Sequence, residues 1–410
     1  MRVWIRGTAI ACLALALTAC SSSGGTAPGS SSAGGGSSNS AGSTPFVVLD
    51  ITAQTGALAA IGVPETVATK AAVAYLNSKG GIAGHPIQLV VKDDLSTATT
   101  AVTVLQQELN SGVKPNLVLP GVTSDETVAL LPALASNKLL SLASTGDASI
   151  TDTAKYPLSF GGSFRPQDGS DALASYLQTQ GYHNIGVFYA GDAYGTSWYK
   201  NVSASLKAKS LNVEDVSYDP TKIDLTAEMS RLQSQHPDVV IAEAFGAPVG
   251  ALFNARTKIG WFSTPLVADI TISSGDPWSI VKNPNAFQNV VEQIYSVQKY
   301  APASSQSPAV QNLLAWVQKQ QAITGSISLY ALNWDMLESV RAAAAKAGSI
   351  DASAIATALT QLTDSDGQWA QNGGKAPGYT ATSHFAAASS TNYDFIAPGP
   401  LKDGMVQPPS

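Results

Sequence analysis

Two short polar segments follow predicted strands and place hydroxyl groups where an anion could bind. Residues 121–126 (GVTSDE) lie between a predicted strand and a predicted helix, and Thr123 and Glu126 have the spacing of a capping box. Ser124 then falls in the first helical turn, where backbone N–H groups lack an acceptor within the helix. Its hydroxyl and these N–H groups could bind an anion without a cationic side chain. A helix that only caps its own end fits the same pattern equally well.

The second polar segment, residues 141–146 (SLASTG), ends the next predicted strand. Its hydroxyl and N–H groups would lie near Ser124 if the two strands are adjacent. A polar strand end that only enters a turn, without binding a ligand, fits the same sequence. Tyr194 precedes Gly195 where a later strand turns into a helix. A tyrosine at that place could either reach across a cleft or cover a core.

Nothing in the chain indicates catalysis, a metal site or a cofactor. The histidines have no metal-ligand spacing, and the sequence has no H-E-x-x-H, G-x-S-x-G or phosphate-loop motif. The adjacent carboxylates Asp93 and Asp94 are better suited to ending a strand or capping a helix. The net charge is −6 and no basic block is present, which argues against nucleic acid as a partner. We therefore expect a binding protein and not an enzyme.

The elements that would position these residues are strands alternating with helices, in two series. Predicted strands of the first series are 46–50, 87–91, 117–119 and 139–143, and those of the second are 184–189, 213–218, 238–242 and 265–269. Single helices between strands, such as 62–79 in the first series, imply parallel sheets with right-handed crossovers. The sequence thus predicts an α/β fold of two doubly wound parallel-sheet lobes joined by a hinge, with the carboxyl ends of the strands lining a cleft.

The N-terminus has the features of an export signal. Arg2 and Arg6 precede a short apolar run that ends in Leu17-Thr18-Ala19-Cys20, and this run is shorter than the ~20 residues that span a bilayer. We expect a signal peptide over residues 1–19 and, because these four residues resemble a bacterial lipobox, lipidation of Cys20. An ordinary signal peptide with a chance cysteine is the alternative. Residues 20–44 are rich in Ser and Gly and are expected to form a disordered linker.

Several passages resemble one family. The segment 77–84 (NSKGGIAG) with Asp93-Asp94, then 192–195 (DAYG), 236–240 (HPDVV) and, more weakly, 329–348 look like the corresponding passages of branched-chain amino acid (Leu/Ile/Val) binding proteins. These are type I periplasmic solute-binding proteins of ABC importers. The similarity runs in order from about residue 46 to the end of the chain.

The resemblance implies lobe limits and site residues. Lobe I would comprise 45–164 plus about 297–372, and lobe II 165–296 plus about 373–405. The family residues that bind the ligand carboxylate correspond to Ser124, the backbone of Ala143, and Thr145. The family's ammonium-binding acid falls on Asp269, where the family usually has Glu. The aromatic residues of the family's second lobe match Tyr194 and Phe245.

The resemblance further implies a lipid-anchored protein on the extracytoplasmic face of the cell membrane. It would capture a small amino-acid-like ligand between the lobes and deliver it to an ABC permease, as a monomer and without a cofactor. The alternative is a sensor of the same fold that binds an amide or a small organic acid and signals to a partner protein. Asp for Glu at position 269 and Ile61 in place of a frequent aromatic residue alter the pocket, so leucine, isoleucine or valine need not be the ligand.

Overall fold

The computed structural model describes residues 44–407. The predicted signal peptide, Cys20 and nearly all of the linker therefore lie outside the described residues. The first sheet is entirely parallel and has the order β2-β1-β3-β4-β5-β11. Its strands are β1 (Phe46–Thr52), β2 (Ile87–Asp93), β3 (Leu117–Pro120), β4 (Ser141–Ala143), β5 (Ser159–Phe164) and β11 (Phe385–Ala386).

The second sheet repeats this order as β7-β6-β8-β9-β10-β12 and is parallel except for its last pair. Its strands are β6 (Asn184–Ala190), β7 (Asn212–Tyr218), β8 (Val239–Ala242), β9 (Leu266–Ala268), β10 (Val290–Tyr295) and β12 (Tyr393–Ile396). A hairpin of β13 (Leu401–Lys402) and β14 (Met405–Val406) follows. The shared order places a topological switch point in each sheet, where ligands of doubly wound folds bind.

The helices cover the faces of the two sheets. They are α1 (Ala59–Ser78), α2 (Ala98–Asn110), α3 (Ser124–Ser136), α4 (Pro166–Thr179), α5 (Ala193–Ala208), α6 (Thr226–Gln233), α7 (Ala247–Lys258), α8 (Ile270–Ser274), α9 (Pro277–Ile280), α10 (Pro308–Gln320), α11 (Ile327–Ala347) and α12 (Ala352–Leu359). Helices α1, α10 and α11 share one core with the first sheet, so the late helices return to the first lobe. That return depends on contacts between distant parts of the chain, which periodicity alone does not reveal.

The chain passes between the two sheets after β5, after β10 and between β11 and β12. An aromatic residue stands at each crossing, namely Phe164, Tyr295 and Tyr393. Their ring centroids lie 5.3 Å (Phe164–Tyr295), 5.6 Å (Tyr295–Tyr393) and 6.2 Å (Phe164–Tyr393) apart. These rings form a packed cluster at the hinge between the lobes.

One part of the expected domain limits differs from the sheets. We expected residues 373–405 in the second lobe, but β11 pairs with β5 of the first sheet, and Met405 packs in the first core. Only β12 of this segment joins the second sheet. The reason is that two-residue strands carry no periodicity from which a sheet could be assigned.

The strand predictions agree with the structure to within about two residues, and α1 begins three residues earlier than the predicted helix 62–79. Strands β5, β10, β11, β12, β13 and β14 have no counterpart among the predicted strands. Among residues 44–407, no helix has the length and apolarity needed to cross a membrane. The same part of the chain holds no group of three His, Cys, Asp or Glu side chains that could bind a metal ion.

Candidate functional site

A cavity of about 180 Å³ lies between the carboxyl ends of the two sheets. A cavity of about 150 Å³ accepts benzene, so this one suits a ligand of roughly amino-acid size. The lobes touch each other around it. Phe245 of the second lobe packs with Ile61 and Val122 of the first, and a Cβ on Gly146 would lie 3.6 Å from the ring of Tyr194. The structure therefore describes the lobes in a closed arrangement.

Ser124 begins α3 on the first-lobe wall of the cavity. The predicted capping box is present: Thr123 Oγ1 accepts from Glu126 N at 3.3 Å, and Glu126 Oε2 accepts from Thr123 N at 3.0 Å. Gly121 makes room for it, because a Cβ there would lie 2.6 Å from Cβ of Glu126. Thr123 and Glu126 thus cap the helix, so the Ser124 side chain is not needed for capping.

Ser124 and Thr145 both line the cavity with buried hydroxyls that have no hydrogen-bond partner among residues 44–407. Ser124 is 2% exposed and Thr145 is 8% exposed. A buried hydroxyl without a partner costs about 1–3 kcal/mol, so an acceptor that enters the cavity recovers that cost. Ala143, by contrast, does not line the cavity: it pairs with Gly161 within the first sheet, and Ser144 and Thr145 follow it to the edge.

Asp269 lies on the second-lobe wall, directly after β9, and is 3% exposed. It caps the short helix α8, with Oδ1 accepting from Thr271 N and from Thr271 Oγ1, each at 3.0 Å. Oδ2 accepts from Trp198 Nε1 at 3.0 Å. A carboxylate has about four acceptor sites, so these three bonds leave room for one more donor. Burial raises the pKa of Asp269, and its hydrogen bonds oppose that shift.

Glu243 is a second buried acid on this wall, just after β8. Its Oε2 accepts from Ala190 N at 3.0 Å, and burial raises its pKa to about 8. Tyr194, in the first turn of α5, also lines the cavity, and burial together with the charges of Asp269 and Glu243 raises the pKa of its phenol. The second-lobe wall is therefore acidic and aromatic.

The structure brings Ser124, Thr145, Tyr194, Phe245 and Asp269 to one cavity. Sequence reasoning missed other lining residues: Glu65, Trp198, Glu243 and the hinge aromatics Phe164, Tyr295 and Tyr393. Glu65 had a signal, since it is an acid within a helix otherwise made largely of small and apolar residues. Trp198 packs in the second-lobe core while its Nε1 donates to Asp269, so its apolar spacing with Val202 and Leu206 conceals its position at the cavity.

Chemically, the first-lobe wall (the donor wall) offers neutral hydroxyl donors together with the acids Glu65 and Asp125, and the second-lobe wall is acidic. The donor wall, at the start of α3, suits a carboxylate because unpaired N–H groups and the helix dipole add to the hydroxyls. The acidic wall suits a cationic group. A small zwitterion matches both walls at once.

Comparison with known proteins agrees with this geometry. A model of the periplasmic binding protein family matches residues 50–391. The Leu/Ile/Val-binding protein BraC3 of Rhizobium johnstonii is 27% identical over 319 residues, which cover 74% of this chain and 80% of that protein. The Leu/Ile/Val-binding protein of Escherichia coli K12 is 24% identical over 232 residues; the match spans 55% of this chain and 62% of the relative's length.

A solved structure shows the same fold. The extracellular ligand-binding receptor from Rhodopseudomonas palustris HaA2 superposes with a TM-score of 0.75 at 16% identity, covering 90% of this chain and 100% of that one. At this identity the likeness concerns the fold alone. Two parallel-sheet lobes with an interlobe cavity, expected from the alternation of strands and helices, are thus confirmed.

Proposed function

We propose a function from one premise: this chain belongs to the periplasmic binding protein family. It captures a small amino-acid-like ligand in the interlobe cavity and presents it to an ABC permease. The family resemblance found in the sequence supports this proposal, as do the relatives that are named for binding leucine, isoleucine and valine.

The main support for the proposal is that hydrogen-bond donors of the first lobe and a carboxylate of the second lobe line the same cavity. Ser124 and Thr145 offer unpartnered buried hydroxyls, and Asp269 faces the cavity from the other lobe with one acceptor site to spare. A ligand carboxylate would accept from the first wall, and a ligand ammonium would donate to the second. Because the groups belong to different lobes, a ligand that binds both would hold the lobes closed.

Asp269 serves this purpose while it also caps α8. The two roles use different acceptor sites of the same carboxylate, and the bonds from Thr271 and Trp198 fix its orientation. Tyr194 and Phe245 would wall the ligand on the second-lobe side. Phe245 packs against the first-lobe cluster that contains Ile61, and the ring of Tyr194 lies close to Gly146, so both rings adjoin the first lobe.

Export and anchoring complete the proposal. The basic start, short apolar run and Cys20 support secretion and lipidation, and residues 20–44 would let the folded part stand away from the membrane. We place the protein on the extracytoplasmic face as a monomer that acts without a cofactor. Several acyl chains are needed for firm attachment, since each buried CH₂ contributes ~0.8 kcal/mol.

A thermal-shift screen tests the proposal. The purified protein is heated with single amino acids, amides and small carboxylic acids. A ligand present at 100 times its Kd should raise the free energy of unfolding by ~2.7 kcal/mol and so raise the Tm. We expect amino acids to give the largest shifts; a screen in which only amides or simple acids shift the Tm would contradict the proposal.

A sensor of the same fold, which binds an amide or a small organic acid, is the second candidate, because a cavity that closes on a ligand serves signalling to a partner as well as transport. The genes beside this one separate the two functions. Permease and ATPase genes would support transport, whereas a regulator or kinase gene would support sensing.

A further inference from the structure

The carboxyl group of Glu65 reaches the cavity from the first lobe, where the family resemblance assigns no acid. Glu65 lies in α1, is 5% exposed and lines the cavity. None of the ion pairs formed among residues 44–407 includes it. Burial raises the pKa of Glu65 well above its usual range, and the charges of Asp50 and Glu126 add to the shift, whereas the Ser144 hydroxyl opposes it.

Most of the ionisable groups that line the rest of the cavity are also acids. Five acids line it: Glu65, Asp125, Asp192, Glu243 and Asp269. Arg165 is the one basic residue among the lining residues described, and it is already paired with Asp168 through two N–O contacts of 3.0 Å. A cationic group on the ligand would favour the ionised form of these acids, so a ligand with net positive charge fits this cavity better than a neutral zwitterion with an aliphatic side chain.

A buried carboxyl without a cationic partner is costly, and an apolar side chain in its place would avoid that cost. The cost of Glu65 is offset if the ligand brings a cation to it. The buried hydroxyls of Ser124 and Thr145 point independently to a ligand at this wall, because each has no acceptor among the described residues. The ligand that matches all these groups has one carboxylate and two cationic groups.

We propose that Glu65 determines specificity by receiving a second cationic group of the ligand, so that the ligand is a basic amino acid and not an aliphatic one. This inference rests on the proposed function, since it assumes that an amino-acid-like ligand occupies the interlobe cavity. It adds a ligand-binding residue in the first lobe and changes the class of side chain that the cavity accepts.

Titration calorimetry with matched ligands tests the inference. Wild-type protein is titrated with L-lysine, L-ornithine and L-arginine, and with L-norleucine, which resembles lysine but lacks its ε-ammonium. A hydrogen bond to a charged group corresponds to roughly a 10- to 100-fold change in affinity, so at least one basic amino acid should bind that much more tightly than norleucine. Glu65→Gln should remove most of this preference while norleucine affinity changes little.

Glu292→Gln is the matched control, because Glu292 is also buried, at 2% exposure, but lies outside the cavity. It should retain the wild-type preference. If norleucine or leucine binds wild type as tightly as every basic amino acid, the inference is overturned and the proposed function stands. If no amino acid binds, both are overturned. A Glu65→Gln protein that keeps the full preference would show that Glu65 does not receive the cation; the wild-type comparison decides the ligand class even if this variant fails to fold.

Discussion

Ser124→Ala should change stability and ligand affinity in opposite directions. Ser124 is 2% exposed and its hydroxyl has no hydrogen-bond partner among the described residues. Removing an unsatisfied buried hydroxyl avoids its desolvation cost, and alanine also has the higher helix propensity. Where the ligand-free protein keeps the closed arrangement, the variant should therefore be more stable than wild type by about 1 kcal/mol, and opening of the lobes, which hydrates the wild-type hydroxyl, reduces this gain.

Ligand affinity should fall in the same variant, because Ser124 is proposed to donate to the ligand carboxylate. A hydrogen bond to a charged group contributes about 1.5–3 kcal/mol, which corresponds to a 10- to 100-fold weaker Kd. The backbone N–H groups at the start of α3 remain, so binding should be weakened and not abolished. The ligand for this assay is the amino acid that gives the largest thermal shift.

Ser141→Ala is the control for this prediction. Ser141 is equally buried, at 2% exposure, but its hydroxyl donates to Ser159 Oγ at 3.0 Å and lies outside the cavity. Urea unfolding of the ligand-free proteins gives the unfolding free energy of each variant, and calorimetry gives the Kd of each variant for the ligand. Ser141→Ala should lose stability and keep wild-type affinity. A Ser124→Ala protein that is destabilised and binds the ligand normally would refute the reasoning.

Three further predictions concern the anchor, the hinge and the buried acids. Cys20→Ser should abolish lipidation, so the variant should leave the detergent phase in phase partitioning; partitioning like wild type would contradict a lipid anchor. Small-angle scattering should give a smaller radius of gyration with ligand than without, and identical curves at saturation would argue against a hinged binder. Burial raises the pKa of Glu292 from 4.5 to about 8. Between these two pH values the folded state keeps a proton that the unfolded state has lost, so the free energy of unfolding should fall as the pH rises. Glu292→Gln should reduce that fall by at most about 1.4 kcal/mol per pH unit, as measured by urea unfolding at pH 5 and pH 8. A variant whose unfolding free energy depends on pH as in wild type would contradict the raised pKa of Glu292.

The sequence was sufficient to predict most elements of both sheets because their strands are short apolar runs between amphipathic helices. It also located Ser124 and Thr145, since polar residues at the carboxyl ends of parallel strands meet at one edge. Strands β11 and β12 could not be assigned, because β11 has only two residues and β12 (YDFI) lacks the continuous apolar run that made the short strands β8 and β9 recognisable. Their sheets are set by pairing with β5 and β10, which are more than 90 residues away in the chain.

The acids of the cavity were harder to find. Glu65 lies within a helix whose small and apolar neighbours indicate burial, but nothing local shows which cavity or core the acid would face. Its burial depends on α11, which returns to pack against α1 from more than 250 residues later. Asp269 was found through the resemblance, but its hydrogen bond with Trp198 joins two elements 71 residues apart and is visible only in the folded chain.

The central claim is that an amino-acid-like ligand bridges the two walls of the interlobe cavity, and Asp269→Asn tests it most directly. Asparagine keeps one oxygen that can still cap α8, but its NH₂ group then faces Trp198 Nε1, so the loss of that buried hydrogen bond should lower stability by about 1–3 kcal/mol without unfolding the protein. Titration calorimetry compares wild type and this variant, each with the best amino acid and with the analogue that lacks its α-ammonium. Wild type should prefer the amino acid, and Asp269→Asn should lose detectable amino-acid binding. Equal affinity of the two proteins for the amino acid would contradict the account and place the ligand among amides or organic acids.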